Sequence, residues 1–513
     1  MKKIFLFILL TIISCTTQPN ASSQSVPEIE PVKNEIPIFN GECKYSLSEA
    51  LNIIYSIAKD NNLEVKINWV ETELFSFDEK CEGRVVGSNL AQGAAIENDS
   101  KLELVIAVNK SDTSVELDVI PNEFSKTSGI DLLFKNKLKF NDGFNSISDV
   151  DLIQIDKEDF YLLTMTYAGK IVLVDSEFNY LSDFLNLNEK VLSSTSGSES
   201  GLINLEIILK ENNLYDLFIS YVDKNSRLTF EQFKLNENLE VDSSSIIFQG
   251  NQNLQPEHYS GSIFNEDNKY FYLSIGDHSI TDAWVANSFS PESKILRFSI
   301  KETANDILIE PAGIDFNPLY KFKNELEVSS LDSIYLSGFR NPWNFSVIKN
   351  LETDSNIYFV GDVGQSRYEE INVIFEDELE SSPYFGWPFY EGPFLSPHYN
   401  SVSENVLEAH RPPDFYYEHK NNEDGNFRCA VILGGIYESS FDYQNKSFIF
   451  TDYCSAELFS IKISSKNVEF YKYEDVNTLN FEGENLNPNI IKTINNKTFL
   501  MTINGEIFEL IDK

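Results

Sequence analysis

Residues 337–345 read Ser337-Gly338-Phe339-Arg340-Asn341-Pro342-Trp343-Asn344-Phe345, and they are followed by Gly361-Asp362-Val363-Gly364-Gln365 and Glu369-Glu370-Ile371-Asn372. Short β-rich runs adjoin these stretches at 334–338 and 356–361. Working outward, similar runs recur at 160–166, 170–175, 202–209, 216–222, 270–275, 448–452 and 499–510, broken by Asn, Asp, Gly and Ser, with no helical period between 113 and 513. The last run predicts a hairpin turning at Asn504-Gly505 with both residues at φ > 0. Some 400 residues of such strands exceed a sandwich, and closed radial repetition is the usual way to avoid exposed edges at this size. The pattern predicts a β-propeller and leaves the blade number open: six blades allot about 67 residues each, and eight, of about 50, leave little room for long loops.

Of the 513 residues, 80 are Asp or Glu and 40 are Lys or Arg, a net charge of −40 with a pI near 4.4. Such a surface excludes nucleic-acid binding by counterion release. A hydrophobic fraction of 42%, with 13% aromatic residues, is enough to fill a large core. Residues 1–15 read as an export signal, with Lys2 and Lys3 ahead of a short apolar run that ends at Cys15 in a pattern resembling the lipobox of bacterial lipoproteins. This predicts lipidation of Cys15, membrane attachment through that lipid, and a periplasmic, outer-membrane or cell-surface location. The alternative is an ordinary signal peptide that contains a cysteine.

Residues 16–38 are a polar tether. Residues 39–110 predict a small α+β domain, with a helix starting at Ser46-Leu47-Ser48-Glu49 and strands at 63–70 and 102–108. Together with Gly83-Arg84-Val85-Val86-Gly87 this order resembles a PASTA module, which implies cell-wall glycan as a partner; a plain spacer domain is the other reading. Export leaves four cysteines in an oxidising compartment, and placing each pair inside one domain predicts Cys43–Cys81 and Cys429–Cys454 bridges.

The stretches at 337–345, 361–365 and 369–372, with Pro256-Glu257-His258-Tyr259-Ser260-Gly261, Gly276-Asp277, Ser293-Lys294-Ile295-Leu296-Arg297 and Phe385-Gly386-Trp387-Pro388, resemble the glucose/sorbosone dehydrogenase family in order and spacing. The resemblance covers most of 113–513 and implies a mainly β fold, a six-bladed β-propeller behind the small domain, and sugar oxidation with pyrroloquinoline quinone (PQQ) and Ca²⁺. It places His258 as the base that takes a hydroxyl proton, a task suited to neutral imidazole. Glu199 and Glu257 fall where polar groups orient base or substrate, and each is equally read as a solvated surface charge. Arg340 and Asn341 would hold the quinone's oxygen edge. The carbonyls of Gly364 and Gln365 would face the cofactor's metal, while Glu370 and the Phe385 carbonyl would serve a structural Ca²⁺; for Glu370, capping a loop without metal is the other reading.

Two departures weaken cofactor binding. Glu438 stands about where a cofactor-clamping lysine is expected, and 487–497 lacks arginine. The Cys429/Cys454 pair matches one seen in many non-glucose members. The leading expectation is a lipid-anchored quinoprotein aldose dehydrogenase; the alternative is a non-catalytic propeller that binds cell-wall polysaccharide or a protein.

Overall fold

The computed structural model describes residues 45, 50, 53, 54, 57, 65–73, 84–88 and 100–108, and all of 124–513 except 141–145, 193–198, 211–212, 254–256, 280–290, 303–306, 314–332, 351–352, 382, 397–398, 400–401, 403–405, 407–408, 422–424, 426, 438–446, 465, 475 and 483–485. Cys15, Cys43, Cys81, Glu438 and the 16–38 tether lie outside the described residues. No helix among the described residues is long and apolar enough to cross a membrane.

Near the N-terminus, Val65–Glu73 runs parallel to Ser100–Val108, which pairs antiparallel with Val85–Ser88. Ala50 and Ile54, four residues apart at helical positions, are both fully buried. The three-stranded sheet extends the two expected strands by the 85–88 segment.

Six further sheets make a six-bladed propeller. Their inner strands are Ile147–Ile155, Leu202–Leu209, Ser260–Glu266, Pro342–Lys349, Val431–Tyr437 and Pro488–Ile494. Each packs beside the inner strand of the next blade, and the last returns to the first, so the ring closes. Hydrogen bonding within the sixth blade also closes the ring: Ile130–Lys137, the segment that opens the propeller, pairs antiparallel with Glu506–Asp512 from the chain's end. Ser125–Thr127 likewise covers the outer edge of the fifth blade by pairing parallel with Asn467–Tyr473.

Position within a blade explains the sequence pattern. Second strands are covered on both faces by neighbouring blades, so Tyr215–Val222 is buried at every residue and reads as a nearly continuous apolar run. The outermost strand Tyr180–Asn186 is exposed over most of its length, and Tyr180 and Leu181 stand among the exposed large hydrophobic residues. The core therefore lies between blades. Phe218, Phe230, Phe271 and Phe298 join the second and third blades, and Phe359 stacks on Phe448 at 3.9 Å between the fourth and fifth. Each such ring contributes roughly 2–3 kcal/mol through burial.

One expected turn differs. Only Gly505 of the Asn504-Gly505 pair has positive φ (81°), because its amide closes a turn on the Thr502 carbonyl at 3.0 Å and the left-handed residue is needed once. Both turn residues are left-handed one hairpin earlier, at Asn495 and Asn496 (48° and 61°). The disulfide expected between Cys429 and Cys454 is present. It bridges the approach to the fifth blade's inner strand and the turn after its second strand.

Candidate active site

The first residues of the inner strands, and those just before them, surround a cavity of about 270 Å³. Its walls include Ser146, Ser148, Thr166, Tyr167, Glu199, Asn341, Trp343, Tyr453 and Asn489, together with aliphatic side chains. Five blades contribute to this wall. Among the described residues Glu199 is its one carboxylate, and no described lysine or arginine lines it.

Next to the lining residue Asn341, the third and fourth blades bring together residues far apart in sequence. His258 precedes the third inner strand in a left-handed conformation (φ 56°), which is strained for a residue with a Cβ. Gly276 makes room for it: a Cβ there would lie 2.1 Å from the His258 carbonyl oxygen. The imidazole is pinned from both sides. Nδ1 lies 2.6 Å from Oδ1 of the fully buried Asp277, and Nε2 lies 2.9 Å from Arg340 Nη2. Arginine only donates, so Nε2 must accept and Nδ1 must carry the proton given to Asp277. The ring thus presents its lone pair on Nε2.

Arg340 and Asn341 precede the fourth inner strand. Asp362 accepts both their backbone amides, at 2.8 and 2.7 Å, and burial pushes its carboxyl up to about 7. The Arg340 guanidinium also donates through Nη1 to the carbonyls of Val363 (2.9 Å) and Gly364 (2.8 Å), while its Nε is buried without a partner. The Asn341 amide is oriented from two sides, accepting from Ser260 Oγ at 2.8 Å and donating to Glu199 at 3.3–3.4 Å. Burial raises the Glu199 pKa, opposed by His258 and Arg340 nearby and by the backbone amides of His258 and Tyr259 that it accepts.

Glu199, His258, Arg340 and Asn341 therefore converge, and Gly364 joins them through its carbonyl. Glu257 does not: it is exposed, and among the described residues its Oε2 meets Ser279 Oγ at 3.4 Å. Gln365 is partly buried, with its amide on Glu391. Glu370 accepts from the Gly392 amide, and burial, reinforced by Asp362, raises its carboxyl well above the usual range. Phe385 stacks on Phe339 at 4.7 Å, and no described contact joins it to Glu370.

Sequence reading assigned no role to Asp277, although Gly276-Asp277 belongs to the motif, nor to Glu391. The latter is fully buried, and its Oε1 accepts the amides of Gln365, Ser366 and Arg367 at 2.9, 2.7 and 2.8 Å. Farther along the inner strands, Lys492 donates to Asp149 at 3.1 Å. Burial, then the charge of neighbouring Asp151, pushes Glu206 in the same cluster up to about 8.

No family model matches the chain. A curated relative, the HIPL2 protein of Arabidopsis thaliana, is 27% identical over 192 residues, 36% of this chain and about a quarter (26%) of that protein's length. Among solved structures, the PQQ-bound aldose sugar dehydrogenase from Streptomyces coelicolor superposes with a TM-score of 0.50 at 16% identity, over 76% of this chain and 100% of that one. A glucose dehydrogenase gives 0.50 at 14% identity, over 72% and 96%. At such identities the likeness establishes architecture: the chain carries the six-bladed propeller fold that these sugar dehydrogenase structures share.

Proposed function

We propose that the propeller is an oxidoreductase acting on a sugar hydroxyl, an aldose dehydrogenase of the quinoprotein type, with His258 as its general base. The observation that carries this reading is the buried Asp277–His258–Arg340 line, 2.6 and 2.9 Å across its two bonds, which adjoins the cavity through the lining residues Asn341 and Glu199. Oxidising a CH–OH group moves the hydroxyl proton to a base and the hydride on the same carbon to an acceptor. The Nε2 lone pair of His258 takes the proton, and Asp277 stabilises the imidazolium that results. The substrate hydroxyl gains that lone pair by displacing Arg340 Nη2, which leaves the guanidinium facing the oxygen that develops charge.

PQQ, when bound, supplies the hydride acceptor. Its fit is supported by the unpartnered, buried Arg340 Nε and by Trp343, Tyr167 and Tyr453 as flat walls for a ring. Arg340 and Asn341 would hold its oxygen edge. Its carboxylates meet no lysine or arginine among the described lining residues, so the expected retention is weak. The described residues do not fit Ca²⁺ in the same way. Gly364 O already accepts from Arg340, and no three acidic, histidine or cysteine side chains among the described residues converge to hold a metal.

The test is to load the purified full chain with excess PQQ and Ca²⁺ and follow sugar-dependent dye reduction over a panel of aldoses. Sugar binding without turnover across the panel would sink the enzyme and favour the second reading, a propeller that binds cell-wall glycan or a protein, which the Glu199-bearing lining without cations supports. Export and lipid attachment at Cys15 complete the proposal; equal labelling of wild type and Cys15→Ser by a fatty-acid analogue would remove the lipid attachment.

A further inference from the structure

We infer that Glu391 is a positioning residue for Arg340: by gathering the turn at 365–367 it holds the Gly364 carbonyl, and through it the guanidinium, against His258. The inference rests on Arg340 belonging to the site. Two separate devices fix this arginine. Its backbone is fixed by Asp362, whereas its head is fixed by the carbonyls of Val363 and Gly364, which follow the strand Asn356–Asp362. Val363 has an independent anchor, its amide donating to Asn341 O at 3.1 Å. Beyond it the chain bends away from the sheet, and the amides of Gln365, Ser366 and Arg367 all point at a single oxygen, Glu391 Oε1.

These three close donors, joined by the Tyr368 amide at 3.4 Å, make a strong hold on one buried carboxylate oxygen, since bonds to a charged acceptor are roughly twice as strong as neutral ones. Glu391 is itself anchored. It sits in the short hairpin Tyr390–Glu391 with Phe394–Leu395, and the amide of the next residue, Gly392, donates to Glu370. Its other oxygen, Oε2, is buried without a partner among the described residues, so the side chain's described bonds all run to this turn and to the Tyr368 amide that follows it. Removing the acceptor frees the turn, the Gly364 carbonyl and the guanidinium head in that order, while Asp362 keeps the Arg340 backbone in place.

The test reads Arg340 directly. The full-length wild type, Glu391→Leu, Glu391→Asp and Glu391→Gln are treated with phenylglyoxal, and the modification rates of Arg340 and Arg411 are followed by peptide mass spectrometry. Leucine removes the acceptor and aspartate withdraws it by one methylene, so both are expected to raise the Arg340 rate at least tenfold. Glutamine presents the same acceptor oxygen and is expected to stay within threefold of wild type. Arg411, paired with Glu378 and Asp414 elsewhere, should not change and reports general loosening. An unchanged Arg340 rate in the aspartate variant, an Arg411 rate that rises in parallel, or a glutamine variant as reactive as the leucine variant would each overturn the inference. Should the leucine variant not fold, the aspartate and glutamine pair decides. If the wild type turns sugar over, kcat should fall at least tenfold in the aspartate variant with the sugar KM within twofold. A wild type without turnover would count against the dehydrogenase alone, since the modification rates need no substrate.

Discussion

Replacing Asp277 with asparagine probes the base without removing it. In the native site Asp277 Oδ1 accepts both the His258 Nδ1 proton at 2.6 Å and the Ser279 amide at 2.8 Å, and the residue is fully buried. An amide oxygen can accept both bonds, so the fold and the tautomer persist, but the acceptor is no longer charged. A hydrogen bond to a charged partner is worth about 1.5–3 kcal/mol against about 1 kcal/mol for a neutral one, and the difference grows as the imidazole becomes cationic in the transition state. A loss of about 1.4–2.7 kcal/mol corresponds to a drop in kcat of about 10- to 100-fold. Ground-state sugar binding, which does not charge the imidazole, should hardly change. The assay is steady-state dye reduction by PQQ-loaded Asp277→Asn beside wild type, with thermal melts as the control for folding. A kcat within threefold of wild type, or a KM rising as much as kcat falls, would refute the argument that the Asp277 charge supports proton transfer.

Other outcomes can be checked independently. His258→Ala should keep its fold and sugar binding and lose about 10²- to 10⁴-fold in turnover, measured by the same assay with calorimetric binding alongside. Glu206, pushed up to about 8 from an unfolded value near 4.5, is a carboxyl that folding keeps protonated. Its contribution is fully present below pH 4.5 and is lost as pH rises through 8, with a slope of at most about 1.4 kcal/mol per pH unit. Glu206→Gln should therefore match wild type in urea melts at pH 4.5 and exceed it at pH 8; parallel pH profiles would contradict this. Serine at both Cys429 and Cys454 opens a loop of 25 residues, which the chain-entropy relation values at about 3.5 kcal/mol. Asp452, accepting the amides of Cys429, Ala430, Cys454 and Ser455, should keep the turn native in that variant, which circular dichroism and the urea midpoint would check.

The class of fold was legible in the chain because a strand's environment in a propeller depends on its rank within a blade. Runs such as 216–222 and 270–275 are mostly apolar where both faces are covered, and the breaks between them are turn residues, so local chemistry is enough to recognise them. The Arg340-Asn341 pair and His258 were legible as well, since each sits at a fixed offset from the start of an inner strand. What sequence alone could not supply was every relation made by ring closure. Ile130–Lys137 completes the last blade beside Glu506–Asp512, some 370 residues later, and no local pattern records that pairing. For the same reason the two glutamates beside the base looked alike in sequence, yet Glu199 reaches it from the neighbouring blade while Glu257, adjacent in the chain, turns to solvent. Asp277 and Glu391 act through single carboxylate oxygens that meet partners 19 and 24–26 residues away. Strand propensity and hydrophobic period are properties of neighbours in sequence, and the amino acids alone settled those. The direction of a buried charge depends on which blades meet around it, and only the closed ring decided that.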